Sequence, residues 1–229
     1  MSAVAKLRGK LPAALLLGLL ALASPARADD AAVVTPLVIG DSVLLHSTVL
    51  GEDRRINVYA PPGYASPDAP PLPVLYMPDG GLAEDFLHVA GLVQVGAGNG
   101  TMRPFLLVGI ENTERRRDML SATEVPEERK IAPHAGGSAA FRRFIRTELM
   151  PYIRAHYRTT SETAVVGESF AGLFIVETFL VEPELFDTYI AFDASLWWNR
   201  KRILRDAPQL LSQQHRVLGQ RHLGDVVEH

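Results

Sequence analysis

The run Ala164-Val165-Val166-Gly167-Glu168-Ser169-Phe170-Ala171-Gly172-Leu173-Phe174 carries the sharpest chemical signal in the chain. A short β-branched strand enters a tight turn with a serine at its apex, and an apolar helix leaves the turn at once. A serine raised in this way serves nucleophilic attack on a carbonyl carbon, provided a base takes its proton. The spacing has a mechanical cause. Ser169 must adopt a strained backbone conformation to lift its Oγ above a sheet, so the residues two before and two after it must be small. Gly167 and Ala171 meet that requirement, and Gly172 lets the helix approach the sheet closely. The free N–H groups at the helix start favour a developing oxyanion. The plain alternative is a strand-to-helix turn of small residues that happens to contain a serine.

The elements that must position this serine are legible on either side of it. Ser42 to Leu50 and Arg55 to Ala60 alternate apolar with polar residues around Gly51-Glu52-Asp53, which predicts a β-hairpin ended by Pro61-Pro62-Gly63. Val74-Leu75-Tyr76-Met77, Phe105 to Ile110, Ala164-Val165-Val166 and Tyr189-Ile190-Ala191-Phe192 are short continuous apolar runs, expected of strands buried on both faces. Phe141, Phe144, Ile145, Leu149, Tyr152 and Ile153 recur at helical spacing, as do Leu173, Phe174, Val176 and Phe179. Strand and helix alternate, which predicts an α/β domain with a mostly parallel sheet flanked by helices. Thr113 to Gly137 is polar, carries Pro126 and Pro133 and shows no clear period, so it is expected to be a lid over Ser169, less rigid than the sheet.

Arg115, Arg116, Arg117 and Asp118 lie just beyond one of the apolar runs, at the sheet edge where open α/β sheets bind ligands. Arg115 and Arg117 are candidates to grip an anionic acyl group or a catecholate; an Arg–Asp ion pair pinning the loop is the equal alternative. Trp197 and Trp198 follow another strand end, one expected to line a pocket and the other to pack inward.

Composition removes several function classes. Lys+Arg 23 against Asp+Glu 26, with no long basic run, argues against a nucleic-acid partner. With no cysteine, a thiol nucleophile and a thiolate metal site are excluded, and stability must come from the core alone. No His-x-x-x-His or carboxylate cluster points to a metal. Lys6, Arg8 and Lys10 precede an apolar run from Leu11 to Ala23, and Ala26-Arg27-Ala28 follows, which predicts a signal peptide over 1–28 and an exported mature chain starting near Asp29. The apolar run is too short, and too interrupted by Pro12 and Gly18, for a stable membrane anchor.

From about Leu45 to about Leu211 the chain resembles the putative-esterase family of α/β hydrolases, which includes esterase D, feruloyl esterases and enterobactin-type trilactone-siderophore esterases. The likeness rests on Val74-Leu75-Tyr76-Met77-Pro78-Asp79-Gly80, on Val108-Gly109-Ile110-Glu111-Asn112-Thr113 with Arg115, Arg117 and Asp118 after it, on the turn around Ser169, and on Asp193-Ala194-Ser195-Leu196-Trp197-Trp198. It implies the α/β-hydrolase fold and ester hydrolysis through an acyl-enzyme on Ser169, with no metal and no organic cofactor. The ester is a small molecule; its identity and the oligomeric state are not encoded in any pattern found. One oxyanion donor is then the Phe170 N–H, and the second is expected from Gly80 or Gly81 in the loop after the third strand, although Asp79-Gly80-Gly81 also reads as a plain turn.

The resemblance places an acid and a histidine after two further strands beyond the serine. Only His215, His222 and His229 follow Ser169, and from Ser212 to His229 the sequence is polar and basic with no buried-strand run. The expected organisation is therefore a signal peptide at 1–28, an esterase domain at 29–211, and an atypical tail at 212–229 where C-terminal strands are missing. His229 with Asp225 or Glu228 is a poor substitute on a mobile terminus. The activity is expected to be impaired. A ligand-binding pseudoenzyme and an acyltransferase on the same fold are the rival readings.

Overall fold

The computed structural model describes residues 33–224, with side chains to Gln214; the leader expected at 1–28 lies outside the described residues. In chain order the elements are β1 (Asp41–Ser47), β2 (Glu52–Tyr59), β3 (Leu72–Pro78), α1 (Phe86–Gly98), β4 (Leu106–Ile110), α2 (Arg115–Met119), α3 (Pro126–Ile131) and α4 (Ser138–Phe144). A π-helical turn over Ile145–Leu149 follows, then α5 (Met150–His156), β5 (Thr159–Glu168), α6 (Phe170–Val181), β6 (Thr188–Phe192) and α7 (Trp198–Gly224). The sheet order is β1-β2-β4-β3-β5-β6. β1 and β2 form the expected antiparallel hairpin, with Ser47 opposite Glu52, and β2 also runs antiparallel to β4. The pairs β3–β4, β3–β5 and β5–β6 are parallel.

Every residue of β3 is buried, because helices cover both faces of the central strands. Alternation then sorts the side chains. Val74 and Tyr76 join Ile56, Val108 and Val165 in a large core closed by Phe141, Phe144, Ile153 and Phe174, while Leu75 and Met77 join Leu107 beneath Phe86 and Val93 of α1. The helical stripe Phe141–Ile153 is present but broken in register by the π-turn. Pro151 has no N–H to donate to residue 147, so the helix absorbs an extra residue just before it.

The segment 113–137 corrects the expectation of a loosely held lid. Met119 and Leu120 are fully buried in the large core and Ala132 nearly so, α2 and α3 give the segment helical structure, and Gly136 and Gly137 donate their N–H groups to the carbonyls of Leu120 and Arg117. Its anchor is ionic. Arg54 of β2, wholly buried, donates from Nη1 to Asp118 Oδ2 at 2.5 Å, to Thr113 Oγ1 at 2.8 Å and to Glu52 at 2.9 Å, and its guanidinium lies 5.3 Å from the Phe141 ring centre. Two helices of five and six residues are too short to print a period on the sequence.

Glu52 closes this network. It accepts from Arg117 at 2.6 and 3.0 Å and from Thr113 and Arg54, and these hydrogen bonds, Arg117's first among them, hold its carboxyl down from 4.5 to about 2. A carboxylate depressed in the folded state adds stability that is complete above its unfolded value and is lost as pH falls toward its folded value. The urea midpoint is therefore expected to decline between pH 4.5 and about 2, and Glu52→Gln is expected to flatten that decline. Equal slopes in both proteins would contradict the assignment.

α7 opens on a left-handed turn, with Asn199, Arg200 and Lys201 at φ of 48°, 53° and 60°, and then continues to Gly224, so the boundary expected at Leu211 falls inside a helix. Glu128 of α3 accepts the Asn199 N–H at 3.0 and 3.1 Å, which ties the 113–137 segment to this turn. No helix among the described residues is long and apolar enough to cross a membrane.

Candidate active site

Three neighbouring parallel strands, β3, β5 and β6, each end at the same edge of the sheet in a non-glycine residue of positive φ: Asp79 at 58°, Ser169 at 58° and Asp193 at 40°. Such conformations persist only where the surroundings over-determine them, and they gather at functional sites. At Ser169 (ψ −115°) the surroundings are explicit. Its N–H donates to the Phe192 carbonyl at 3.1 Å, and its own carbonyl accepts from Leu173 at 2.9 Å and Ser195 at 3.0 Å. A Cβ on Gly167 would stand 2.7 Å from the Ala171 Cβ, and one on Gly172 would stand 2.9 Å from the Phe192 carbonyl oxygen. The turn therefore tolerates only small residues at these positions, and α6 approaches β6 closely because Gly172 has no side chain.

The Ser169 Oγ lies 3.3 Å from the Oγ of Ser195, a buried residue between β6 and α7. Phe170 opens α6, so its N–H belongs to the first turn, where no intrahelical acceptor exists. Each of the four histidines with described side chains has its partner elsewhere. His46 meets Asp53 in the hairpin, His88 stands beside Asp85 on α1, His134 meets Glu114, and His156 bonds the Tyr152 carbonyl. His215, His222 and His229 fall outside the described side chains.

The loop after β3 faces this turn, since β3 and β5 run parallel and in contact. Its polar groups are already engaged. Asp79 receives Arg115 through two bonds, Nε to Oδ1 at 2.6 Å and Nη2 to Oδ2 at 2.8 Å, and also Asn112 Nδ2 at 2.6 Å. Gly80 donates its N–H to the Ile110 carbonyl at 2.9 Å, whereas the Gly81 N–H donates to Glu84 Oε2 at 2.7 Å. Of the two glycines considered as oxyanion donors, Gly80 is thus spent on the sheet and Gly81 faces an exchangeable side chain.

Arg115 and Arg117 separate in the fold. The Arg115 guanidinium lies over the Phe170 ring at 5.4 Å, next to the candidate nucleophile, and its pairing with Asp79 raises its pKa. Arg117 instead joins Glu52 and Asp118 in the anchoring network. The tryptophans separate too: Trp198 is buried and donates Nε1–H to the Ser121 carbonyl at 2.9 Å, while Trp197 is half exposed and packs on Phe170 at 5.8 Å between ring centres. Serine, arginine and exposed tryptophan thereby converge around Phe170. Asn57, Glu84, Asn112 and Ser195 complete the surroundings; sequence assigns none of them a role, although Asn112 and Ser195 lie in segments that carry the family likeness, because their partners are 23 to 33 residues away or, for Glu84, also in a local turn. Among the described residues no group of three or more His, Cys, Asp or Glu is placed to hold a metal ion.

A mixed six-stranded sheet flanked by helices, with a strained serine between a parallel strand and the helix after it, is the α/β-hydrolase fold. Within that fold the chain belongs to the family described as "Putative esterase", whose model matches residues 47–224. The ferri-bacillibactin esterase BesA of Bacillus subtilis (strain 168) is 29% identical over 182 residues, covering 70% of this chain and 61% of BesA. The crystal structure of an IroE-like serine hydrolase from Shewanella oneidensis shares 33% identity at a TM-score of 0.68, over 76% of this chain and 56% of that one. The BES protein from Bacillus cereus, 22% identical, superposes at a TM-score of 0.67 over 85% of this chain and 84% of its own, a likeness of fold. The chain spans about three fifths of the length of BesA.

Proposed function

We infer that this protein is a serine carboxylic-ester hydrolase in which Ser169 attacks the ester carbonyl and becomes acylated. The observation that carries the reading is the constrained positive φ of Ser169 at the end of β5, with α6 starting at the next residue. The Phe170 N–H is the first oxyanion donor and the Gly81 N–H the second. Arg115 and Trp197, which meet on Phe170, supply a cation and an aromatic face beside the residue that follows the serine. That pairing suits an anionic or catecholate-bearing acyl group. The family and the esterase names of BesA and of the siderophore enterobactin esterase of Emericella nidulans support a small-molecule lactone of siderophore type as the substrate. The basic, apolar and small-residue pattern of the first 28 residues supports export before the enzyme acts.

Ser169 Oγ has Ser195 as its neighbour, a hydroxyl that is no base at neutral pH. This favours slow turnover by the chain as it stands, and it is the observation on which a ligand-binding pseudoenzyme reading rests. The two readings part in a mass measurement. On incubation with a p-nitrophenyl ester the esterase gains one acyl group, located on the peptide containing Ser169 and absent from Ser169→Ala. Binding of the ester with no serine adduct, even at high pH, would leave the pseudoenzyme.

A further inference from the structure

The second oxyanion donor has a direction that something must set. The Gly80–Gly81 peptide carries the Gly80 carbonyl on one side and the Gly81 N–H on the other, because a trans peptide points the two groups in opposite senses. Asn57 of β2, buried, donates from Nδ2 to the Gly80 oxygen at 2.8 Å. The opposite end of the same peptide donates to Glu84 Oε2 at 2.7 Å. Glu84 Oε1 in turn accepts from Asn112, which also donates to Asp79, and Asp79 holds the Arg115 that lies over Phe170. The Gly81 N–H thus opens a network that ends at the Phe170 ring, one residue after Ser169.

Two features separate this from ordinary packing. The Asn57 Oδ1 is buried without a partner, so the side chain bears a desolvation penalty that an apolar residue of the same size would avoid. The loop itself has no slack: a Cβ on Gly80 would stand 2.2 Å from the Ile110 nitrogen and 2.3 Å from the Gly109 Cα. With position fixed by that contact, the remaining freedom is rotation of the peptide plane, and Asn57 removes it.

We propose that Asn57 is a positioning residue that aims the Gly81 N–H at the Ser169 site, and that the Glu84 carboxylate occupies this donor at rest until the carbonyl oxygen of an ester displaces it. The proposal rests on the esterase reading for its catalytic consequence. The geometry of the donor can be read without it. Displacement breaks one charge-assisted hydrogen bond and forms another to the developing oxyanion, with Glu84 moving to solvent and no covalent change in the protein.

The test uses the full chain labelled with ¹⁵N-glycine, the Gly81 amide being identified by its loss in Gly81→Ala. Glu84→Ala, at a partly exposed position, is expected to move the Gly81 proton upfield and to raise the rate of Ser169 acylation by a p-nitrophenyl ester about tenfold. Asn57→Leu, close to the native volume, is expected to shift the same resonance and to lower the saturating acylation rate about 10- to 100-fold while the half-saturating ester concentration stays put. In the double variant the gain from Glu84→Ala disappears, because a donor that is no longer aimed is not worth freeing. A Gly81 resonance unmoved by Glu84→Ala overturns the proposal, and that arm stands even if Asn57→Leu does not fold. A fall in acylation that tracks only a rise in half-saturating concentration also overturns it. If no variant, native chain included, acylates at Ser169, the esterase reading fails, and the Gly81 resonance in Asn57→Leu and Glu84→Ala still decides the positioning.

Discussion

Steady-state hydrolysis of an activated aryl ester by this chain is expected to be slow, with little further loss in Ser169→Ala. The reason is proton transfer. A serine hydroxyl attacks a carbonyl efficiently only when a neighbouring base takes its proton, and loss of the base from a Ser-His-Asp site costs about 10⁶-fold in kcat. Oxyanion donors and binding leave about 10³- to 10⁴-fold over water. His46, His88, His134 and His156 are engaged away from the serine, and Ser195 Oγ at 3.3 Å cannot replace them. Imidazole added to the solution is expected to accelerate the native chain beyond its effect on Ser169→Ala, since among the described side chains no histidine stands at the serine and a small base can enter there. Rapid serine-dependent turnover without added imidazole would show that a base is present, and His215, His222 and His229 would be the residues to replace next.

The largest stability effect is expected at Asp118. Its side chain is 1% exposed and takes two cations, Arg54 on Oδ2 at 2.5 Å and Arg117 on Oδ1 at 2.7 Å. Arg54, at 0% exposure, has no route to water, and its Nε already lacks a partner. Asp118→Ala would leave Arg54 with Glu52, a quarter exposed and at 2.9 Å, as its remaining carboxylate partner, and loss of the fully buried member of such a pair costs up to about 3–5 kcal/mol. Asp118→Ala is therefore expected to lower the unfolding free energy by up to that amount in urea titrations. The double change Arg54→Met with Asp118→Leu is expected to recover most of the loss, because no charge is then stranded among Phe141 and Phe144. Equal destabilisation by the single and double changes would mean that the pair serves packing rather than charge. The same substitution carries a functional consequence: Arg115 stands three residues before Asp118 on α2, so loosening this helix frees the guanidinium from Asp79 and from the Phe170 ring.

By itself the sequence determined the strands, the main helices and the serine, because each leaves a local trace. β3, β4 and the middle of β5 read as apolar runs since both faces are covered, the hairpin reads as alternation around Gly51, and the turn at Ser169 reads as small residues at fixed offsets, imposed by contacts as near as Gly167 to Ala171. The run Tyr189–Phe192 also forms a strand, but the expectation that it is buried on both faces is corrected: β6 is the edge of the described sheet, with Phe192 59% exposed. Tertiary structure alone decided what the polar residues do. Arg115 and Arg117 are neighbours of equal charge on one short helix, yet one reaches Asp79 beside Phe170 and the other Glu52 on β2, a choice made by helix orientation and by partners 36 and 65 residues away. Trp197 and Trp198 divide between solvent and core for the same reason. The segment 113–137 reads as a lid because its anchor, Arg54 with Asp118, is a charge pair spanning 64 residues, and hydrophobic periodicity is blind to such a pair. Glycine in the Asp79-Gly80-Gly81 turn is visible in the sequence. What its polar groups bond to is set by Asn57, Glu84 and the Ile110 carbonyl, of which Asn57 and Ile110 meet the turn only when the chain has folded.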